Sequence, residues 1–132
     1  MNVPQEYKLD LHSNNYAMLS AIELNKEIDV AAFKRFFFIT SNQSCERGHH
    51  AHKYCTQILF AISGQIEVSV KDSKQSYNFT LKPHENFLLI PTMWWASQRY
   101  LEKSILGVLC DETFSEDDYV RDWKEFLTLL KN

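Results

Sequence analysis

Residues 65–71 (QIEVSVK) alternate polar and apolar positions and bring Ile66, Val68 and Val70 to one face. Residues 75–81 (QSYNFTL) repeat the pattern with Tyr77, Phe79 and Leu81. Period-two alternation of this kind predicts half-buried strands. The intervening Asp72-Ser73-Lys74 has the residue types of a hairpin turn. Further strands are predicted at 17–24 (AMLSAIEL), 33–40 (FKRFFFIT), 87–90 (FLLI) and 104–110 (SILGVLC). Residues 49–63 run into the mostly apolar stretch ILFAIS, a buried strand bounded by Gly64. Residues 41–48 read as a polar loop, and 82–86 as a second loop.

The period changes near the C-terminus. Tyr119, Val120, Trp123, Phe126, Leu127 and Leu130 fall at helical spacing. Ser115 and Asp118 suggest a capping box at the start of a helix over about 115–131. Its apolar face should pack on the outside of the sheets or across a subunit boundary. Short strands at regular spacing with one terminal helix predict an all-β fold, a jelly-roll β-barrel or sandwich, in a single domain over 1–132.

Composition agrees. A chain of 132 residues with 45% hydrophobic and 14% aromatic content can bury a core. The net charge is −3 and no Lys/Arg block occurs, so a nucleic-acid partner is not expected. No apolar run is long enough for a transmembrane helix, and Met1–Glu6 lacks the basic and apolar regions of a signal peptide, so a cytoplasmic protein is expected. Cys45, Cys55 and Cys110 form no CxxC pair, and free thiols are expected.

The chemistry-bearing residues cluster. Of five His, three lie in Arg47-Gly48-His49-His50-Ala51-His52-Lys53. On a strand His50 and His52 share one face, and a surface strand carrying polar His is the alternative. His-x-His, four residues, Gln57, six residues, Gly64 has the form of the first cupin motif, with Gln where a metal-binding chain carries Glu. After Pro91, where a further His ligand would stand, the sequence is Thr92-Met93-Trp94-Trp95. Two ligands are too few for a transition metal. A metal-free, cofactor-free site with His50 and His52 as acid and base is therefore expected.

Arg47-Gly-x-His-Ala-His52-Lys resembles the signature of the dTDP-4-oxo-6-deoxyglucose 3,4-ketoisomerases, cupins of bacterial deoxysugar biosynthesis. The similarity extends to Leu19-x-Ala-Ile-Glu23, to Lys34-Arg35-Phe-Phe-Phe-Ile39 and to Asp118-Tyr119-Val120-Arg121 with Phe126, about residues 19–130 in all. It implies a jelly-roll homodimer, a nucleotide-linked keto-deoxysugar (a dTDP-sugar) as ligand and no metal. It further implies a step in making amino sugars for lipopolysaccharide and surface glycans, with His50 and His52 catalytic. The chain departs from the family pattern at Ser13-Asn14-Asn15-Tyr16-Ala17, at Phe37 and Phe38 in place of strand Tyr residues, and at Trp95 in place of His.

Around this pair, Arg47 is a candidate pyrophosphate clamp or a solvated loop residue, and Arg35 and Arg99 are weaker candidates of the same kind. Tyr54 is a candidate proton donor beside the His pair or a core residue. Trp95 can stack on a base or sugar, or pack in the core or a dimer interface. The stripe from Tyr119 to Leu130 is expected to be packing. Besides the ketoisomerase, three readings remain: an epimerase or isomerase of another nucleotide sugar, a catalytically silent nucleotide-sugar-binding cupin, and, last of the three, a metal-dependent cupin.

Overall fold

The computed structural model describes residues 3–23 and 30–131. Twelve strands follow one another: β1 (Gln5–Lys8), β2 (Asp10–Ser13), β3 (Met18–Ala21), β4 (Arg35–Thr40), β5 (Cys45–His52), β6 (Gln57–Ser63), β7 (Ile66–Lys71), β8 (Ser76–Leu81), β9 (Asn86–Ile90), β10 (Trp95–Tyr100), β11 (Ile105–Cys110) and β12 (Tyr119–Val120). A single α-helix, α1 (Trp123–Leu130), closes the chain. Two five-stranded antiparallel sheets, ordered β1-β9-β6-β11-β4 and β12-β5-β10-β7-β8, face each other as a jelly-roll sandwich, while β2 and β3 form a separate hairpin.

The alternation read from the sequence produces the core. Ile66, Val68 and Val70 of β7 are buried, and Leu81 of β8 meets them from the neighbouring strand. Leu59, Leu88, Leu106 and Val108 fill the same interior from the opposite sheet. The β7–β8 turn is held by Asp72 Oδ1, which accepts the N–H groups of Lys74 (2.8 Å) and Gln75 (2.7 Å). Gly64 has φ +73°, and a Cβ there would run into Ser104, which explains glycine at the end of the motif.

Several expectations need correction. Residues 41–48 are not all loop, because Cys45 to Gly48 already pair with β10. Their exposed, charged side chains hid the strand. Strand β10 itself was not expected: Ser97, Gln98 and Arg99 interrupt its apolar pattern. Strands β1 and β2 were likewise unforeseen, having little buried surface to reveal them. The strand expected at 17–24 is β3, and Leu24 lies outside the described residues.

The C-terminal helix is shorter than expected. Residues 116–118 form a 3-10 turn, and Tyr119 and Val120 pair with His52 and Ala51 of β5. Ser115 makes no side-chain cap, and α1 starts after Asp122. Asp118 is drawn inward by three hydrogen bonds to the β5 end, which outweigh one exposed cap. The apolar side of α1 packs outside the second sheet, where Phe126 and Val120 bury against Ala51 and Trp95.

Candidate active site

The His pair owes its geometry to an irregularity in β5. Gly48 lies opposite Ser97 and His50 opposite Ala96, which leaves His49 as an extra residue. Gly48 (φ +93°) and His49 (φ +60°) both adopt left-handed conformations, as in a β-bulge. The bulge resets the alternation, so Arg47 and His50, three positions apart, line the same cavity. His49 turns outward toward Glu46. Beyond the bulge the strand is regular, and the His50 and His52 rings meet edge to face with centroids 5.0 Å apart.

The cavity has a volume of about 290 Å³ and opens between the sheets. His50, Gln57 and Gln98 line its interior, with Phe37, Leu59, Leu106 and Val108 as its apolar wall. Arg35, Arg47 and Arg121 also border it. The Arg35 guanidinium lies 4.5 Å from the Phe37 ring and 5.2 Å from the Phe114 ring. Arg121 is held over the Tyr119 ring at 4.3 Å and pairs with Glu116 through Nε (2.8 Å) and Nη2 (3.2 Å). Tyr119 packs on both imidazoles, 5.0 Å from His50 and 4.5 Å from His52. A larger, apolar hollow of about 400 Å³ lies under the β2–β3 hairpin and holds none of these groups.

The two imidazoles have different surroundings. Burial, and then the neighbouring His52, push the His50 pKa down to about 4, so it is a neutral base at pH 7. His52 is buried and its Nδ1 bonds Asp118 Oδ2 at 2.6 Å. Burial disfavours the charged form of Asp118. The bonds from His52 and from the backbone N–H groups of Tyr54 and Cys55 prevail and hold its pKa below the usual value. With Nδ1–H assigned to the carboxylate, Nε2 is the ring atom left to face a ligand, and it has no partner among the described residues.

Donor atoms of His52, Cys55 and Asp118 lie within 4.8 Å of one another, which makes this the group that could hold a cation among the described residues. It is not the ligand set of the first cupin motif, whose third position, Gln57, faces the cavity. Hydrogen bonding between His52 and Asp118 already accounts for their proximity.

A protein-family model described as "FdtA: WxcM-like, C-terminal" matches residues 4–131. The chain belongs to this family. A TDP-4-oxo-6-deoxy-α-D-glucose 3,4-oxoisomerase from Aneurinibacillus thermoaerophilus is 31% identical over 110 residues, covering 82% of this chain and 78% of that one. A 3,4-ketoisomerase from Helicobacter canadensis has the same fold with a TM-score of 0.84 and 28% identity over 98% of both chains. The TDP-quinovose 3,4-ketoisomerase WlaRB from Campylobacter jejuni gives 0.81 at 26% identity, covering 97% of this chain and 99% of that one.

In this WxcM-like chain the cavity brings together four of the residues expected from sequence, namely His50, Arg35 and Arg47 along the wall and His52 against His50. Three lie elsewhere. Tyr54 follows the end of β5 and is 63% exposed, stacked under Lys53. Trp95 is buried behind the sheet against Trp123 and Phe126. Arg99 points from the outer face of β10 and pairs with Glu67 at 2.7 Å. Of the two substituted strand positions, Phe37 lines the cavity, whereas Phe38 faces outward. Sequence reasoning missed Asp118, Tyr119 and Arg121. Their signal was present in Asp118-Tyr119-Val120-Arg121, but the helical period assigned that block to packing.

Proposed function

We propose that the protein is a metal-independent 3,4-ketoisomerase of a dTDP-4-oxo-6-deoxyhexose, acting in the cytoplasm as a homodimer. The observation that carries this reading is the pair of adjacent imidazoles with unlike surroundings, one neutral and buried, the other tied to a carboxylate. The C4 ketone acidifies the proton on C3. Neutral His50 removes it, and the electrons move to O4 to give an enediolate. The proton on His50 then returns to C4, and the carbonyl forms at C3. The oxygen-bound proton must travel in the same direction, from O3 to O4. His52 Nε2 accepts it from O3 and passes it to O4, while Asp118 stabilises the transient imidazolium, as carboxylates do in His–Asp pairs. Each proton transfer of this type contributes about 10²–10⁴-fold.

Arg35, Arg47 and Arg121 suit the pyrophosphate of the nucleotide, since guanidinium groups offer paired donors to phosphate oxygens. The product, a 3-oxo sugar, is a substrate for amination in building lipopolysaccharide and other surface glycans. The test is proton exchange followed by NMR in deuterated water with dTDP-4-oxo-6-deoxyglucose. Loss of the C3 proton signal and growth of a 3-oxo species are expected. Binding without any exchange would refute the activity on this sugar.

A further inference from the structure

The two walls of the cavity are chemically unlike. One is the sheet that carries the His pair. From it His50 of β5 and Tyr119 of β12 line the cavity, and His52 packs against both rings. The other wall is built by β4, β6 and β11, which present Phe37, Leu59, Leu106 and Val108. Among the described residues, the polar side chains on that wall are Arg35 and Gln57. A guanidinium keeps its proton in a protein, and a side-chain amide neither gives one up nor takes one. Cys110, whose sulfur accepts a hydrogen bond from Gln57 Nε2 at 3.5 Å, is buried and does not line the cavity. Nor does this wall suit a proton-carrying water, which needs two to four polar partners. Leu59, Leu106 and Val108 are buried hydrocarbon. Every cavity-lining group able to move a proton therefore stands on the β5 side.

We infer that the sugar loses its C3 proton and gains its C4 proton on one and the same face, so that the product has the galacto configuration, with an axial hydroxyl on C4. The inference rests on the ketoisomerase reading. In the gluco series the C3 and C4 hydrogens are both axial and point to opposite faces of the ring. His50 reaches the C3 hydrogen only when that face is turned to the β5 wall. The opposite face then lies against Phe37, Leu59, Leu106 and Val108. The C3–H bond breaks, its electrons form the C3–C4 double bond, and the carbonyl pair moves to O4. C3 and C4 are now both flat, and neither remembers its configuration. A proton delivered to C4 from the β5 wall arrives on the face that held the C3 hydrogen. The C4 oxygen is left on the other face, which is the axial position. In total C3–H and O3–H bonds break, C4–H and O4–H bonds form, and nothing is oxidised or reduced overall. A gluco product would require an acid on the hydrocarbon wall. The reaction that aminates the product must accordingly accept a ketone flanked by an axial C4 hydroxyl.

The experiment uses the full chain and dTDP-4-oxo-6-deoxyglucose in ordinary water, with proton NMR of the earliest product, before the free 3-oxo sugar epimerises in solution. An equatorial H4, as in the galacto product, couples weakly to H5. An axial H4, as in the gluco product, couples strongly. The galacto form should exceed the gluco form by about 10²-fold or more, the lower end of what one positioned acid contributes. A mixture of the two from the first turnovers, or a mainly gluco product, would overturn the inference and leave the ketoisomerase reading intact. His50→Asn should slow formation of the 3-oxo sugar without changing its configuration. If that variant instead forms the gluco product, an acid acts from the other wall and the inference is equally lost. Absence of any 3-oxo species with the wild type would remove the ketoisomerase reading itself, and this inference with it.

Discussion

At the scale of residues, the proposed chemistry depends on keeping two imidazoles unlike. His50 is held neutral because burial and its neighbour penalise its cation. His50→Asn should retain the fold and lower the isomerisation rate by about 10²–10⁴-fold, measured as C3 exchange. The acid limb of kcat/KM in the wild type should lie near pH 4 rather than at the ordinary imidazole value of 6.5. The same shift has a consequence for stability. Between pH 6.5 and about 4 the unfolded chain protonates His50 and the folded chain does not, so stability rises with pH in this window and is lost as pH falls. Thermal melts across that range should show a smaller loss in His50→Asn than in the wild type. Asp118→Asn keeps an acceptor for the Tyr54 and Cys55 N–H groups but removes the charge facing His52. It should cost about 10²-fold or more in kcat with little change in KM, because the wrong tautomer of His52 becomes accessible.

At the scale of elements, the β5 bulge decides whether Arg47 and His50 meet at one cavity. A Cβ on Gly48 would lie 3.0 Å from the Ala96 carbonyl oxygen and from Gln98 Oε1, at a φ that strains L side chains. Gly48→Ala should therefore destabilise the fold by about 1–3 kcal/mol, read from chemical denaturation, and also reduce activity by displacing His50. The same element marks the limit of what sequence reveals. Strands β7 and β8 were legible because one face of each is buried, so polarity alternates. Strand β10 was not, because exposed Arg99, which pairs with half-buried Glu67 of β7, and buried polar Gln98 break its apolar alternation. The His pair and the Arg residues at 35 and 47 were legible from a local motif and its alternation. Asp118 and Tyr119 were not, because the contact from Asp118 to His52 spans 66 positions and no local period encodes it. The apolar spacing of 119–130 fits a helix equally well, and only pairing with β5 pulls Tyr119 and Val120 into a strand.

At the scale of the whole molecule, the two sheets are finished differently. Helix α1 covers the outside of the sheet that carries the His pair. The outside of the other sheet exposes Phe36 (52%), Phe38 (62%) and Ile62 (46%), and β4, which carries the two Phe residues, is its edge strand. Strict alternation along β4 produces this face: Arg35, Phe37 and Ile39 turn inward, while Phe36 and Phe38 turn out. The apolar hollow lined by Ile58, Phe60 and Phe87 lies on the same sheet. An exposed apolar edge of this kind is ordinarily covered, since it otherwise promotes aggregation. A second copy placed about a twofold axis covers both faces at once, with self-complementary contacts and about 800 Å² buried on each partner for a stable interface. Phe38→Lys places a charge in the middle of this face without touching the catalytic cavity. Sedimentation should find the wild type at twice the mass of one chain and the variant at the mass of one, with the strand signal in circular dichroism unchanged. A variant that remains dimeric would place the interface elsewhere and leave this face for another partner.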